Sequence, residues 1–171
     1  MLASHENMVE HAAFSPDDQY IVTASLDKTA RVWDTEIGEE ALVLKGHRSG
    51  VTYAAFCPIG IYIVTTSWDN SVRLWDSATG EAIWVREHQA GVHHAAFSPD
   101  GQIIVTGGND GTARLWETAT GKPIKTLKGH EGNVWHVGFS PDGKQVISAS
   151  WDNSVRVWEV ESGEVVMVLK D

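Results

Sequence analysis

The sequence contains a single cysteine, few basic residues and no long apolar run. One cysteine, Cys57, cannot form an internal disulfide, which is typical of a reducing compartment and predicts a cytoplasmic location. The longest apolar runs are only as long as a strand, so no membrane-spanning helix is expected, and residues 1–5 do not resemble a signal peptide. Lysine and arginine total 13 against 23 acidic residues, which gives a net charge of −10. We therefore expect neither nucleic acid nor a membrane as a partner.

Signatures of enzymes and metal sites are also missing from the sequence. It has no glycine-rich phosphate loop, no cysteine and histidine cluster and no nucleophile elbow. We therefore predict no catalytic activity, no cofactor and no metal. Sustained helical periodicity with a cap at each end is lacking too, which argues against helices.

Three residue types recur at one spacing along the whole chain. Consecutive members of each series are separated by 42, 41 and 42 residues. The histidines are His5, His47, His88 and His130, the aspartates are Asp27, Asp69, Asp110 and Asp152, and the tryptophans are Trp33, Trp75, Trp116 and Trp158. This regularity over four copies indicates a tandem array of one unit of roughly 40 residues.

Each unit consists of short extended runs separated by turns. One turn is a segment such as Ser140-Pro141-Asp142-Gly143, in which proline presets φ, aspartate bonds back to the backbone and glycine allows a positive φ. A β-branched run such as residues 145–148 follows it in every unit. Four such runs per unit predict a four-stranded antiparallel meander, and hence an all-β protein.

The repeated motifs resemble those of the WD-repeat β-propellers. They are the Gly-His, the Ser-Pro-Asp-Gly turn, the aspartate before the third strand, and the Trp-Asp or Trp-Glu that ends it. The resemblance covers essentially the whole chain and implies that each repeat is one radial blade of four strands. The blades are expected at 1–45, 46–86, 87–128 and 129–171. Ser4, Glu87, Cys57 and Ile59 depart from the motifs without removing a repeated His, Asp or Trp.

The same resemblance implies a hydrogen-bonded tetrad of tryptophan, hydroxyl, histidine and aspartate in each blade. The expected sets are His5, Thr23, Asp27 and Trp33; His47, Thr65, Asp69 and Trp75; His88, Thr106, Asp110 and Trp116; and His130, Ser148, Asp152 and Trp158. A second hydroxyl position holds Ser25, Ser67 and Ser150, but Gly108 there cannot serve. A hydroxyl, a histidine and an aspartate also suggest a catalytic triad. Four equivalent sets on one small chain favour a structural role, because buried polar groups need partners.

The number of repeats bears on the assembly of the protein. The resemblance implies rings of about seven or eight blades, so four blades are expected to form half of an eight-blade ring. Each blade is complete within its own repeat, so closure by strands shared between the two ends of the chain is not expected. The exposed faces of blades 1 and 4 should associate, most simply as a homodimer in which blade 4 of each chain packs on blade 1 of the other. Open oligomers and a compact ring of four blades are the alternatives.

A partner-binding face follows from the resemblance by position within the blade. The face is expected near the start of the first strand and the turn before the third. It would present Met8, Glu10 and Leu26 in blade 1, Thr52 and Trp68 in blade 2, His93 and Asn109 in blade 3, and Asn133, Trp135 and Trp151 in blade 4. Exposed tryptophan is common in interaction hot spots. The alternative is that these indoles pack against neighbouring blades.

A third group consists of His11, His94 and His136, which share one position on the first strand with Tyr53. Around a channel they could bind a metal or an anion, or respond to pH near 6. Side chains from separate blades are expected to lie too far apart for this, which favours simple packing.

The function predicted from these observations is a non-catalytic protein–protein interaction scaffold that binds a protein or peptide and also associates with itself. Two alternatives stay open. The chain could be a sensor or regulatory segment of a larger bacterial signalling protein, or an artificial self-assembling propeller with no dedicated ligand.

Overall fold

A computed structural model describes residues 4–170 and shows four antiparallel sheets, each with its four strands in sequence order. The strands are β1 (Val9–Phe14), β2 (Tyr20–Ser25), β3 (Thr29–Asp34), β4 (Glu40–Lys45), β5 (Val51–Phe56), β6 (Tyr62–Ser67), β7 (Ser71–Asp76), β8 (Ala82–Glu87), β9 (Val92–Phe97), β10 (Ile103–Gly108), β11 (Thr112–Glu117), β12 (Pro123–Lys128), β13 (Val134–Phe139), β14 (Gln145–Ser150), β15 (Ser154–Glu159) and β16 (Val165–Lys170). The predicted all-β fold of four-stranded meanders is confirmed. Strand β8 ends at Glu87, one residue beyond the expected boundary at 86.

Local turn chemistry sets the strand boundaries. In blade 1, the Ser15 hydroxyl donates to Asp17 at 2.6 Å and accepts the backbone N–H of Tyr20 at 2.9 Å, which closes the β1–β2 turn. The turn between the second and third strands of each blade needs a residue in the left-handed conformation directly after the repeated aspartate. Asn70, Gly111 and Asn153 adopt φ of 72°, 71° and 61° there, and these residue types tolerate that conformation. In blade 1 the same position is Lys28, at φ 73°.

Three apolar cores lie between consecutive blades. Each core combines strand residues from one face of a blade with the tryptophan-bearing face of the next. The buried members are Val22, Ala24, Ala30, Val32 and Leu44 with Val51, Ala54, Ile63 and Trp75; Val64, Val72, Leu74 and Trp84 with Val92, Ala95, Ile104 and Trp116; and Val105, Ala113, Leu115 and Leu127 with Val134, Val137, Val146 and Trp158. The apolar burial therefore lies between blades and holds consecutive blades together.

The four blades form an open series. Within residues 4–170, no pair of strands from blades 1 and 4 packs together as neighbouring blades do, so the compact four-blade ring is not the arrangement seen. Ile147 of blade 4 is 42% exposed, whereas its counterparts Val22, Val64 and Val105 are fully buried. Phe14 of blade 1 is exposed, unlike the corresponding phenylalanines of the other blades. Two apolar blade faces are thus left uncovered.

In the part of the chain that the structure describes, no helix is long and apolar enough to cross a membrane.

Candidate functional site

Four polar networks, one in each blade and each buried or half-buried, bring together all the residues of the expected tetrads. In blade 3, the Trp116 indole N–H donates to Thr106 Oγ1 at 2.8 Å, and Thr106 Oγ1 lies 2.7 Å from His88 Nε2. His88 Nδ1 lies 3.2 Å from both carboxylate oxygens of Asp110. The same links from tryptophan to hydroxyl, hydroxyl to histidine and histidine to aspartate occur in the other three blades. In blades 1 and 4 the histidine contacts one carboxylate oxygen, at 2.7 Å and 2.8 Å. Every donor faces an acceptor if the imidazole is neutral and carries its proton on Nδ1.

The aspartate of each tetrad also fixes the turn that precedes the third strand. Asp69 accepts the backbone N–H of Arg48 at 2.7 Å, that of Ser71 at 2.9 Å and the Ser71 hydroxyl at 2.6 Å. Burial by itself would raise the pKa of Asp69, but the hydrogen bonds from His47, Ser71 and Arg48 outweigh it and hold that pKa far below its usual range. The carboxylate is therefore ionised at neutral pH and ties residues 47–48 to the turn at residues 69–71.

A fifth member of each network was missed by the sequence-based prediction. It is the hydroxyl residue two positions after the aspartate, which donates to that carboxylate at 2.6–2.7 Å: Thr29, Ser71, Thr112 and Ser154. The signal was present in the sequence, because a threonine or serine holds this position in all four units. The three hydroxyls at the second candidate position, those of Ser25, Ser67 and Ser150, instead accept the backbone N–H of the tetrad aspartate.

The polar atoms of the tetrad side chains are hydrogen-bonded to one another. His47 and His88 are buried, and burial lowers the pKa of both imidazoles while the adjacent carboxylates oppose this only in part. Their ring nitrogens already contact a hydroxyl and a carboxylate. We infer that the networks have a structural and not a chemical role.

The residues predicted for the partner-binding face differ in exposure. Met8, Glu10, Trp68, Trp135 and Trp151 are exposed, while Leu26, Thr52, His93, Asn109 and Asn133 are half-buried. Thr52 is engaged within the propeller, because its hydroxyl donates to the Val92 carbonyl at 2.7 Å and joins blade 2 to blade 3.

An aromatic cluster spans blades 2, 3 and 4 on this face, and we call Trp68, His93 and Trp151 the Trp–His–Trp cluster. The Trp68 and His93 rings meet edge to face with centroids 4.6 Å apart, and the Trp151 ring centroid lies 6.3 Å from that of His93. Trp68 also lies over Gly91, where an added Cβ would come within 2.8 Å of the indole. His93 Nε2 lies 2.5 Å from Asn109 Oδ1, which orients the imidazole. Trp68 and His93 are therefore held in place although Trp68 is 42% exposed, and Trp151, which is 66% exposed, lies at the edge of the cluster.

Trp135 lies apart from this cluster. Its ring contacts His136, with centroids 5.9 Å apart, and it lines a groove on the uncovered face of blade 4 together with Leu169 and Lys170. Trp84, by contrast, is buried between blades 2 and 3. The four tryptophans outside the repeated register thus differ in their surroundings.

The shared histidine position forms a continuous stack along the innermost strands. Ring centroids are 4.1 Å apart for His11 and Tyr53, 4.1 Å for Tyr53 and His94, and 4.3 Å for His94 and His136. The expectation that these side chains lie far apart was wrong, because the innermost strands converge. Burial, followed by the charges of His136 and His11, lowers the pKa of His94 to about 3. Among residues 4–170, no group of three His, Cys, Asp or Glu side chains is arranged to hold a metal ion.

Comparison with known proteins places this architecture in a family. The family model described as IFT122 first beta-propeller matches residues 1–171. The chain is also similar to Ribosome assembly protein 4 of Saccharomyces cerevisiae, with 45% identity over 38 residues, which cover 22% of this chain and 7% of that protein. It is similar to the Notchless protein homolog of Arabidopsis thaliana, with 40% identity over 45 residues, which cover 26% of this chain and 10% of that protein. Each match thus spans a tenth or less of the relative's length. Because the family match extends over the whole chain and the four sheets carry the repeated motifs, the chain belongs to the WD-repeat β-propeller family described as the IFT122 first beta-propeller.

Proposed function

We propose that this chain is a non-catalytic scaffold that binds a protein or peptide through the Trp–His–Trp cluster. The observation that carries the proposal is a pair of exposed indoles beside His93, of which Trp68 is held in place by the neighbouring blade. Trp68 rests on Gly91 and His93, so little side-chain entropy is left to lose when a partner covers it. Large, ordered aromatic side chains of this kind dominate binding energy at protein interfaces.

Two further features support this proposal over catalysis. The hydroxyl, histidine and aspartate of each tetrad, which together suggest a catalytic triad, are bonded to one another. The net charge of −10 favours partners with a basic surface and speeds their approach. The cytoplasmic location remains a prediction based on the single cysteine.

Replacing both Trp68 and Trp151 by alanine should abolish partner capture while leaving the fold intact. Both indoles are exposed, so their removal opens no cavity in the interblade cores. The measurement is affinity capture from a cell extract followed by mass spectrometry, with thermal melts of each variant. Ile83→Ala is the matched control, because Ile83 is also 42% exposed but lies on the outer strand β8. Unchanged capture by the double variant would refute the proposal.

We further propose that the uncovered faces of blades 1 and 4 pair between two copies to form an eight-blade ring. The strand register aligns Ile147, Val155, Val157 and Leu169 of blade 4 with the residues that build the first half of each interblade core. Blade 1 offers the complementary half, including Ile21 and Trp33 at the positions of Ile63 and Trp75. A second copy would thus complete a fourth core of the kind present three times within the chain.

Light scattering on a sizing column should find a species of twice the 18.7 kDa chain mass. Ile147→Lys should convert it to a monomer, because a lysine ammonium would be buried without a partner in the new core. Ile124→Lys is the control: Ile124 is 43% exposed, close to the 42% of Ile147, but lies on the outer strand β12. A monomer at every concentration, or a series of open oligomers, would overturn the two-chain ring.

A further inference from the structure

One register position on the outer strands carries a different residue in each blade. It holds Leu42, Trp84, Lys125 and Met167, which pair with Val32, Leu74, Leu115 and Val157 of the neighbouring third strands. In the first three blades this side chain faces the junction with the next blade. The junctions therefore differ in how well they are filled.

Trp84 fills the junction between blades 2 and 3. Its indole N–H donates to the Thr118 carbonyl at 2.8 Å, and it packs in the core that Tyr62 and Phe97 border. The ring lies against Gly121, where an added Cβ would come within 2.7 Å of it. Lys125 fills the junction between blades 3 and 4 in a similar way, because its aliphatic stem would lie 2.8 Å from a Cβ added at Gly163.

Leu42 leaves the junction between blades 1 and 2 partly open. A Cβ added at Gly80, the counterpart of Gly121, would lie 3.3 Å from Leu44 and 3.7 Å from Leu42, whereas one added at Gly121 would lie 2.7 Å from Trp84. A cavity of about 360 Å³ lies here, lined by Tyr20, Val32, Leu42, Phe56, Ser77 and Ala78 among others. Tyr20, Phe56 and Ser77 occupy the register positions of Tyr62, Phe97 and Thr118. The cavity therefore repeats the surroundings of Trp84 without an indole in them.

We propose that this cavity binds a tryptophan side chain of a partner peptide. Leu42, Val32 and Phe56 supply the apolar walls, and the Ser77 carbonyl, equivalent to that of Thr118, accepts the indole N–H. The occupant is specified by the molecule itself, since Trp84 shows which side chain the same framework accommodates in the adjacent junction. Asp17 at the cavity edge is exposed and favours a basic residue next to the inserted tryptophan.

This site is independent of the proposed Trp–His–Trp interface. The cavity adjoins the β1–β2 turn, whereas Trp68 and Trp151 lie in turns at the other end of the second strands. A partner could therefore contact both faces of the propeller, or two partners could bind at once.

The test is an NMR titration of the full chain with N-acetyl-tryptophanamide as the probe. The chemical shifts of the backbone amides are followed. Saturable shifts are expected at Ser77, Ala78 and Gly60. Leu42→Trp should lower the affinity for the probe at least tenfold, because the new indole fills the cavity as Trp84 fills the adjacent junction. Trp84→Leu should open a second site and bring new shifts at Thr118 and Gly121. The Trp68→Ala, Trp151→Ala double variant should bind the probe normally at the cavity. The experiment therefore distinguishes failure of the cavity proposal from failure of the proposed Trp–His–Trp interface.

Several outcomes would overturn the proposal. These are the absence of saturable shifts at the cavity, equal binding of N-acetyl-phenylalaninamide, and unchanged binding to a folded Leu42→Trp variant. If Leu42→Trp does not fold, Ala78→Leu blocks the cavity from an exposed position and should weaken the probe in the same way. Shifts confined to Trp68 and His93 would move the indole site to the opposite face and refute the cavity assignment.

Discussion

Replacing Thr106 by valine is expected to lower the free energy of unfolding by about 2–4 kcal/mol. Valine keeps the shape of threonine but removes the oxygen that accepts the Trp116 indole N–H and contacts His88 Nε2. Both groups are buried, so water cannot replace the lost partner. Leaving two polar groups unpaired costs far more than one hydroxyl hydrogen bond contributes.

Thr118→Val provides a control within the same blade. Thr118 is also buried, but its hydroxyl has no hydrogen-bond partner among the described residues. Its replacement should change the free energy of unfolding by less than about 0.5 kcal/mol or raise it, because an unpaired hydroxyl is removed and the volume is kept. Urea unfolding of both variants measures the difference. Equal effects would mean that the tetrad adds nothing beyond threonine packing.

The repeats made much of this fold predictable. The regular spacing of the His, Asp and Trp series led to the expected tetrads, and the structure brings the same sixteen side chains together, four in each blade. The turns were predictable as well, since serine, proline, aspartate and glycine act on the residues next to them. Such local chemistry depends on neighbours within one blade, which the sequence lists directly.

Distances between blades were not predictable in the same way. His94 and His136 are 42 residues apart in sequence, and only the convergence of the inner strands brings their rings to 4.3 Å. Trp68 and Trp151 share a register position but not an environment: Trp68 leans on Gly91 of the next blade, while no blade of the described chain follows that of Trp151. A position within the repeat therefore does not specify its exposure.

Acidification from pH 7 to pH 5 should destabilise the chain, and His94 alone should account for about 2 kcal/mol of the loss. Burial, together with the charges of His136 and His11, lowers the pKa of His94 to about 3 from the usual 6.5. The unfolded chain therefore binds more protons than the folded chain between these values. The stability is fully present above pH 6.5 and is lost as the pH falls below it. Burial lowers the pKa of His11 and His136 too, although a hydrogen bond to the Ala54 carbonyl opposes the shift at His11.

His94→Tyr isolates this contribution, because blade 2 already holds Tyr53 at the same position of the stack. Burial raises the pKa of Tyr53, so a tyrosine here stays neutral throughout the window. The tetrad aspartates also remain ionised above pH 5, since the pKa of each is lowered from its ordinary value. Urea unfolding at pH 8 checks that the variant is folded, and the same measurement at pH 7, 6 and 5 gives the slope for both proteins. The variant should lose about 2 kcal/mol less than the parent chain between pH 7 and pH 5. Parallel slopes would mean that His94 takes up its proton as readily in the folded stack as in the unfolded chain, and that burial between Tyr53 and His136 does not disfavour its charge.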